Sequence, residues 1–421
     1  AKAGQGVAAA IDIAVGMHGL ESQRNPATLA FVRAGAIQDK PVEAITPGRC
    51  GCQHDCKGDG RRESRAHGQS FIRRLSAPSQ VPRLALPRTK ARLSPPAWRG
   101  ALPGTPDALA LREEVAALVA SQPLAVWAER GGSKQLNADI RQLPWMVLHG
   151  GPGGSLGAAH VAPLRFAGLP WFGFDQRNSG LSEDIDLNAI DLQLFVDDAL
   201  QIADRLNIEN FHILGGSWGA TLALAIAAYR PDRIASVVLR APFMPLRPRV
   251  DAFFESLENI APDYFADSFG QGARTDTVCE CFAVATPEHL LELSIAWNKL
   301  EQALLTGSDR NFDDKKPFLT DVQELALVRK YRLQAHFLQY DCFISPADWN
   351  SLISTIAAAS FPISIVQGLN DRICPPGGAR MISEMILRSR LIELPDTGHL
   401  ADSSAMMSAI SSEVSHHQNI A

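Results

Sequence analysis

Gly215-Gly216-Ser217-Trp218-Gly219 sits between two apolar runs, and its reading decides the fold. Asn210 to Leu214 (NFHIL) precedes it and reads as a buried strand. Ala220 to Ala227 (ATLALAIA) follows and reads as a buried helix. A serine flanked by glycines where a strand turns into a helix is the signature of a nucleophile elbow. The turn is sharp, so the neighbouring side chains must be nearly absent. The serine Oγ then stands clear of the backbone, and the first helical N–H groups face any negative charge that develops beside it.

A lone serine is a poor nucleophile and needs a base and a group to orient that base. Phe361 to Gly368 reads as a buried strand, and the loop after it carries Asn370-Asp371-Arg372. Arg390 to Pro395 reads as another strand, followed by Asp396-Thr397-Gly398-His399. His399 is the expected base. Asp371 is the expected acid, with Asp396 as a rival that lies close to His399 in sequence. Trp145 to Leu148 is a further apolar strand and runs into His149-Gly150-Gly151-Pro152-Gly153-Gly154. Side chains in such a loop would block the approach of backbone N–H groups to an oxyanion. The N–H of Gly151 (or of Gly150) and the N–H of Trp218 are the expected donors. A phosphate-cradling role for this loop lacks the Gly-Lys-Ser/Thr and the G-x-G-x-x-G spacing that nucleotide sites use.

The order Ser, Asp, His along alternating strands and helices predicts an α/β fold of the α/β-hydrolase type. Its sheet is expected to be mostly parallel, with helices on both faces. These motifs together resemble those of the prolyl aminopeptidases (proline iminopeptidases), a family of serine exopeptidases. The family's His-Gly-Gly-Pro-Gly stands at 149–153 and its Gly-Gly-Ser-Trp-Gly at 215–219. Its Asp-Gln-Arg-Gly-x-Gly-x-Ser appears as Asp175-Gln176-Arg177-Asn178-Ser179-Gly180-Leu181-Ser182, with Asn178 in place of a glycine. The resemblance covers roughly residues 123–415 and implies structural roles for Asp175 and Arg177.

The resemblance also implies an inserted helical cap, which follows the strand Ile234 to Leu239 and reads the substrate's free amino group. The family's Ala-Trp-x-x-Trp-Glu matches Ala296 to Glu301 here, with Leu300 replacing a tryptophan; Glu301 is the implied amine-binding carboxylate. The family's Glu-x-His-Tyr-Phe appears as Gln334 to Leu338, so a second amine-binding glutamate has become Gln334 and an aromatic wall has lost its last ring to Leu338. The catalytic motifs match the family closely; the specificity segments match it in part.

Charge divides the chain. Residues 1–105 hold 16 Lys+Arg against 7 Asp+Glu, and the remainder 24 against 38. The first part is rich in Pro, Gly, Ser and Arg and has the composition of a poorly ordered extension. Arg61-Arg62-Glu63-Ser64-Arg65 and Arg73-Arg74 there would suit an anionic partner or an organelle-targeting segment. Cys50-Gly51-Cys52-Gln53-His54-Asp55-Cys56 has metal-ligating types, but not the spacing of a zinc module. The expected organisation is this extension over 1–105, a core segment over 106–242 opening on a helix from Ala108 to Val119, a cap over 243–350, and a second core segment over 351–421. An early strand is expected over Leu124 to Arg130 with Gly131-Gly132 as its turn, and an amphipathic helix over Asp191 to Leu206.

At 421 residues, 46% hydrophobic and 20% charged, the composition is globular. No apolar run approaches the roughly 20 residues a bilayer demands. No charged-then-apolar leader is evident at the start, and the seven scattered cysteines suit a reducing compartment, so the cytoplasm is the expected location. The expected activity is release of an N-terminal residue, preferably proline, from short peptides with a free N-terminus. Neither a cofactor, a metal, nor a nucleic-acid partner is expected. An esterase or amidase on the same core, and a non-catalytic hydrolase-like binding protein, are the alternatives. The complete Ser217, Asp371 and His399 set counts against the second, since a binding protein needs none of them.

Overall fold

The structure is a computed structural model and describes residues 124–129, 142–307 and 319–420. The basic segment 1–105, its Cys50 to Cys56 group, the helix expected over Ala108 to Val119 and the turn at Gly131-Gly132 lie outside the described residues. The sheet has seven strands: β1 (Val126–Glu129), β2 (Trp145–Leu148), β3 (Trp171–Phe174), β4 (Phe211–Gly216), β5 (Ile234–Arg240), β6 (Ile363–Gly368) and β7 (Arg390–Leu394). They lie in the order β1-β3-β2-β4-β5-β6-β7. Only β1 runs antiparallel, against β3; the other neighbours pair in parallel.

Parallel strands are covered on both faces, so they read as continuous apolar runs rather than alternating ones. The alternation is still present in space. Met146, Leu148, Phe172 and Ile213 join the larger core on one face. Trp145, Val147, Trp171 and Leu214 join a second core on the other. That second face is covered by α1 (Ala158–Ala167) and by a C-terminal helix over Ser404–Ile420, numbered α11 below. The first face receives α2 (Leu192–Arg205) and α3 (Trp218–Tyr229). Asp191 caps α2, its side chain accepting from the Leu194 N–H at 2.8 Å. α3 is buried almost all round, as its Ala/Leu/Ile composition requires.

Between β5 and β6 the described chain forms α4 (Arg247–Ile260), α5 (Pro262–Phe269), α6 (Thr275–Val284), α7 (Pro287–Thr306), α8 (Asp321–Gln339) and α9 (Pro346–Ala358). α9 packs back on α3, whereas α7 and α8 pack on each other and centre on the buried Trp297. α10 (Pro376–Met385) follows β6, and α11 completes the chain. No helix among the described residues is long and apolar enough to cross a membrane.

The order places β3 on one side of β2 and β4 on the other, so the winding reverses between β2 and β4. In open parallel sheets, the loops leaving the C-terminal ends of the strands at such a reversal enclose a crevice, and ligands bind there. The loop at Gly150-Gly151 leaves β2, and Ser217 leaves β4.

Beneath the sheet lies a buried polar row. His212 Nδ1 meets Ser236 Oγ at 2.6 Å with the Trp145 ring stacked on its imidazole. Ser364 Oγ donates to Glu413 Oε2 at 2.7 Å, so His417 Nε2 donates to Ser364 Oγ at 2.8 Å. Burial depresses both imidazoles to about 4; each also repels positive charge nearby, His212 from His417, and His417 from His416 and Arg390, with Glu413 opposing. Both are therefore neutral when folded, while the unfolded chain takes up protons near pH 6.5. Their contribution is complete above about pH 6.5 and is lost as the pH falls towards about 4. The melting temperature should drop over that window, by up to about 3 kcal/mol of stability per imidazole. The drop should be shallower in His417→Gln, measured by thermal denaturation at pH 7.5, 6.0 and 4.5.

Candidate active site

Ser217 holds φ 56° and ψ −122°, a conformation costing about 1–3 kcal/mol for a residue with a Cβ. The surrounding backbone enforces it. The Ser217 N–H donates to the Arg240 carbonyl at 2.9 Å, and the Ser217 carbonyl accepts from Ala220 and Phe243. A Cβ on Gly219 would run into the Leu148 carbonyl, and one on Gly215 into the Gly219 carbonyl. The helix can begin this close to β2 only because both positions are glycine.

Asp371 is buried in the loop after β6. Its Oδ1 accepts the N–H groups of Ile373 at 2.9 Å and Cys374 at 2.8 Å. Its Oδ2 accepts from His399 Nδ1 at 2.7 Å. The rival Asp396 is exposed, with φ 52°, and makes no such bond. Arg240, buried at the end of β5, donates to the His399 carbonyl at 2.5 Å and pins that loop from below. Burial lowers the Arg240 pKa, and the charge of Asp371 works against that lowering. Ser217 Oγ lies 3.9 Å from Cys374 Sγ, whose amide is one of the two bound by Asp371. The structure thus gathers Ser217, Asp371 and His399 around the ends of β4, β6 and β7. Among the described residues it forms the Asp371–His399 bond but not a bond from Ser217 Oγ to His399. Catalytic hydrogen bonds of this kind are often long without substrate and tighten in the complex.

The glycine loop faces Ser217 directly: a Cβ on Gly150 would stand 3.2 Å from Ser217 Cβ. His149 anchors the loop. It is fully buried, and burial lowers its pKa, with Asp175 and the Gly150 carbonyl opposing. Its Nε2 accepts the Gln176 N–H at 3.0 Å, so Nδ1 carries the proton and donates to the Gly150 carbonyl at 2.9 Å. Gln176 Nε2 returns a bond to the His149 carbonyl at 3.0 Å, and its Oε1 accepts from Trp218 Nε1 at 2.8 Å. One glutamine therefore sets the loop after β2 against the residue after Ser217.

Asp175 Oδ1 and Oδ2 accept the N–H groups of Leu156 and Leu181 at 2.7 and 2.8 Å. Arg177 makes a two-pronged pair with the buried Asp198 at 2.7 and 2.8 Å. Asn178 keeps a left-handed φ of 56°, so the turn that resembles a glycine-bearing one is preserved. The side chain adds two bonds of 2.8 Å, to the Ile185 N–H and carbonyl.

Glu301 on α7 and Gln334 on α8 meet, Gln334 Nε2 donating to Glu301 Oε1 at 2.8 Å. Two partners were not foreseen. Lys330 Nζ and Tyr331 OH both donate to Glu301 Oε2 at 2.7 Å. Burial alone would raise the Glu301 pKa; the Lys330 charge and the three donors outweigh it and hold it below the ordinary value. Lys330, Gln334 and Phe337 are spaced along one face of α8, and the Phe337 ring sits 4.9 Å from that of Trp218. That spacing was the available signal for Lys330. Arg329 docks the same helix on the turn after β3, donating to the Gly180 and Ser182 carbonyls at 2.7 Å and pairing with Asp184.

Residues 144–401 match the family described as the alpha/beta hydrolase fold. A probable proline iminopeptidase of Leptolyngbya boryana is 28% identical over 280 residues, 63% of this chain and 84% of its own. A proline iminopeptidase of Arabidopsis thaliana is 29% identical over 275 residues, 62% of this chain and 69% of its own. A solved proline iminopeptidase of Mycobacterium smegmatis covers 70% of this chain and 95% of its own at TM-score 0.46 and 18% identity.

Asn178 makes a prediction about the turn. Asn178→Gly retains the left-handed conformation but loses both side-chain bonds, and should destabilise by about 1–2 kcal/mol. Asn178→Ala adds left-handed strain of about 1 kcal/mol and should cost more. Urea denaturation of the two variants checks the order.

Proposed function

Because the chain belongs to the α/β-hydrolase fold family, we propose that it is a serine hydrolase of the prolyl aminopeptidase kind. In this reading it releases an N-terminal residue, preferably proline, from short peptides through an acyl-enzyme on Ser217. The observation that carries the reading is the convergence of a left-handed Ser217 after β4 with a buried Asp371–His399 bond of 2.7 Å. The resemblance of the curated relatives, which are proline iminopeptidases, supports the substrate class.

The chemistry follows the geometry. His399 accepts the Ser217 proton as Oγ bonds to the substrate's carbonyl carbon. Asp371, fixed by two backbone N–H groups, holds Nδ1 protonated and stabilises the imidazolium. Trp218 is the first residue of α3, so its N–H has no intrahelical carbonyl to bond and, with that of Gly151, is available to the oxyanion. His399 then gives its proton to the leaving amine as the C–N bond breaks. In the second half, water adds to the acyl carbon, His399 takes its proton, and Ser217 leaves as the hydroxyl. No metal or cofactor enters these steps. A cytoplasmic location is part of the same reading and rests on the scattered cysteines; Cys279, Cys281, Cys342 and Cys374 are free.

Glu301 and Gln334 are assigned to the substrate's nitrogen. One observation favours the esterase or amidase reading as the second choice: Glu301 already carries a cation, Lys330, at 2.7 Å.

Ser217→Ala should lose on the order of 10⁴ to 10⁶ in turnover on a prolyl arylamide and on a short acyl ester, with an unchanged circular dichroism spectrum. His399→Ala should behave alike, and a metal chelator should have no effect. Retention of ester hydrolysis in a clean Ser217→Ala preparation would refute the nucleophile.

A further inference from the structure

The α7–α8 pair contains an arrangement the reading above does not account for. Glu301 is nearly enclosed, its side chain 10% exposed, while Lys330 retains 27%. The lysine ammonium donates to Glu301 Oε2 and to Tyr331 OH, and lies 4.4 Å from the centre of the Tyr331 ring. Tyr331 OH in turn donates to the same carboxylate oxygen. Carboxylate, hydroxyl and ring face together thus form a cradle for one ammonium, and this chain's own lysine fills it.

The cradle is tied to the loop that faces the proposed nucleophile. Gly153, with φ +88°, packs so tightly on α8 that a Cβ there would lie 2.9 Å from Lys330 Cα. The same loop presses Gly150 on Ser217. Burial is the main cause of a raised Cys374 thiol pKa, and the carboxylates of Asp371 and Glu301 add to it, so the Glu301 charge is felt at the sulfur that touches Ser217 Oγ.

A second observation points to a ligand. Gln334 Oε1 is buried and has no hydrogen-bond partner among the described residues. The amide cannot be turned round, because the Glu301 carboxylate accepts only and must face Nε2. A buried acceptor without a donor costs free energy, and a substrate N–H would supply one.

We propose that Lys330 is a specificity-determining residue: its ammonium occupies Glu301 as an internal stand-in for a substrate's charged amine, which must displace it, whereas an uncharged N–H is read through Gln334 Oε1 alone. The proposal rests on the reading of Glu301 and Gln334 as the nitrogen subsite. The Lys330 stem is exposed enough to swing out; the Glu301 carboxylate is not. Until the lysine leaves, an entering cation meets a neutral pair rather than a negative charge, and the usual advantage of a protonated N-terminus is cancelled. Acyl groups bearing an amide nitrogen, or none, suffer no such competition.

The test compares two inhibitors of short p-nitrophenyl ester hydrolysis by the full chain: prolinamide, which carries the charged amine, and pyroglutamamide, whose ring N–H is uncharged. In the parent protein prolinamide should bind no more tightly than this uncharged lactam. Lys330→Gln, which keeps a donor for Glu301 without the charge, and Lys330→Met should each shift the ratio of the two inhibition constants about tenfold in favour of prolinamide, or about 1.4 kcal/mol. Lys330→Arg should keep the parent ratio. Tenfold tighter prolinamide binding by the parent overturns the proposal without any variant. An unchanged ratio in variants that melt cooperatively does so as well, and leaves the subsite reading intact. Inhibition by neither compound removes the subsite and the proposal together. Failure of the catalytic reading appears separately, as ester hydrolysis that survives Ser217→Ala.

Discussion

The start of α3 rides on the carbonyl end of β2, and the rest of the site depends on that contact. There is no room for a side chain between Gly219 and the Leu148 carbonyl. The approach forces the preceding residue out of the helical region, and Ser217 takes positive φ with its Oγ projected from the turn. The strain is local, of order 1–3 kcal/mol, and is offset by the backbone bonds to Arg240, Ala220 and Phe243. Because β2 and β4 flank the reversal in the sheet, this same contact brings the glycine loop opposite the serine.

Around that contact the polar groups form a closed chain. His149 is held neutral by burial and spends both ring nitrogens, one on the Gln176 N–H and one on the Gly150 carbonyl. Gln176 passes the constraint to Trp218, and the Trp218 ring passes it to Phe337 on α8. A loop of glycines would be mobile by itself. Here its conformation is set by the side chains of a histidine, a glutamine and a tryptophan. Arg329 closes the circuit from the other side by fastening α8 to the turn that begins at Asp175.

The local parts of this arrangement were legible in the sequence. Apolar runs bounded by turns marked β2 and β4 to β7 within a residue or two, because buried parallel strands show no polar alternation to confuse the reading. The elbow was legible because its glycines answer a steric demand that few other residues meet. In the sequence Asp371 is preferred over Asp396 because Asp396 lies close to His399; in space Asp371 is buried with its oxygens facing N–H groups, and Asp396 stands exposed two residues after β7. Asn178 looked like a departure, yet asparagine tolerates the left-handed region and bonded Ile185 instead. The Glu301–Lys330 pair was the least legible. Helical spacing within α8 aligns Lys330 with Gln334, but the carboxylate comes from α7, across residues 308–318, and nothing in a linear pattern brings the two helices together.

The two halves of the site differ in how they tolerate change. Around Ser217 the elbow, the glycine loop and Asp371 are held by close backbone packing and hydrogen bonds, so a substitution there disturbs geometry at once. On α7 and α8 the groups proposed for recognition are side chains at helical positions, and one of them, Lys330, is held by an ion pair. On that proposal, exchanging a charge there would alter which acyl group is favoured while leaving the elbow, the glycine loop and the Asp371–His399 bond in place. Fold and chemistry are therefore insulated from specificity. A chain whose catalytic motifs resemble those of the prolyl aminopeptidases can for this reason depart from them in the helices proposed to read the substrate, and the departure is concentrated in the ionic balance around one buried carboxylate.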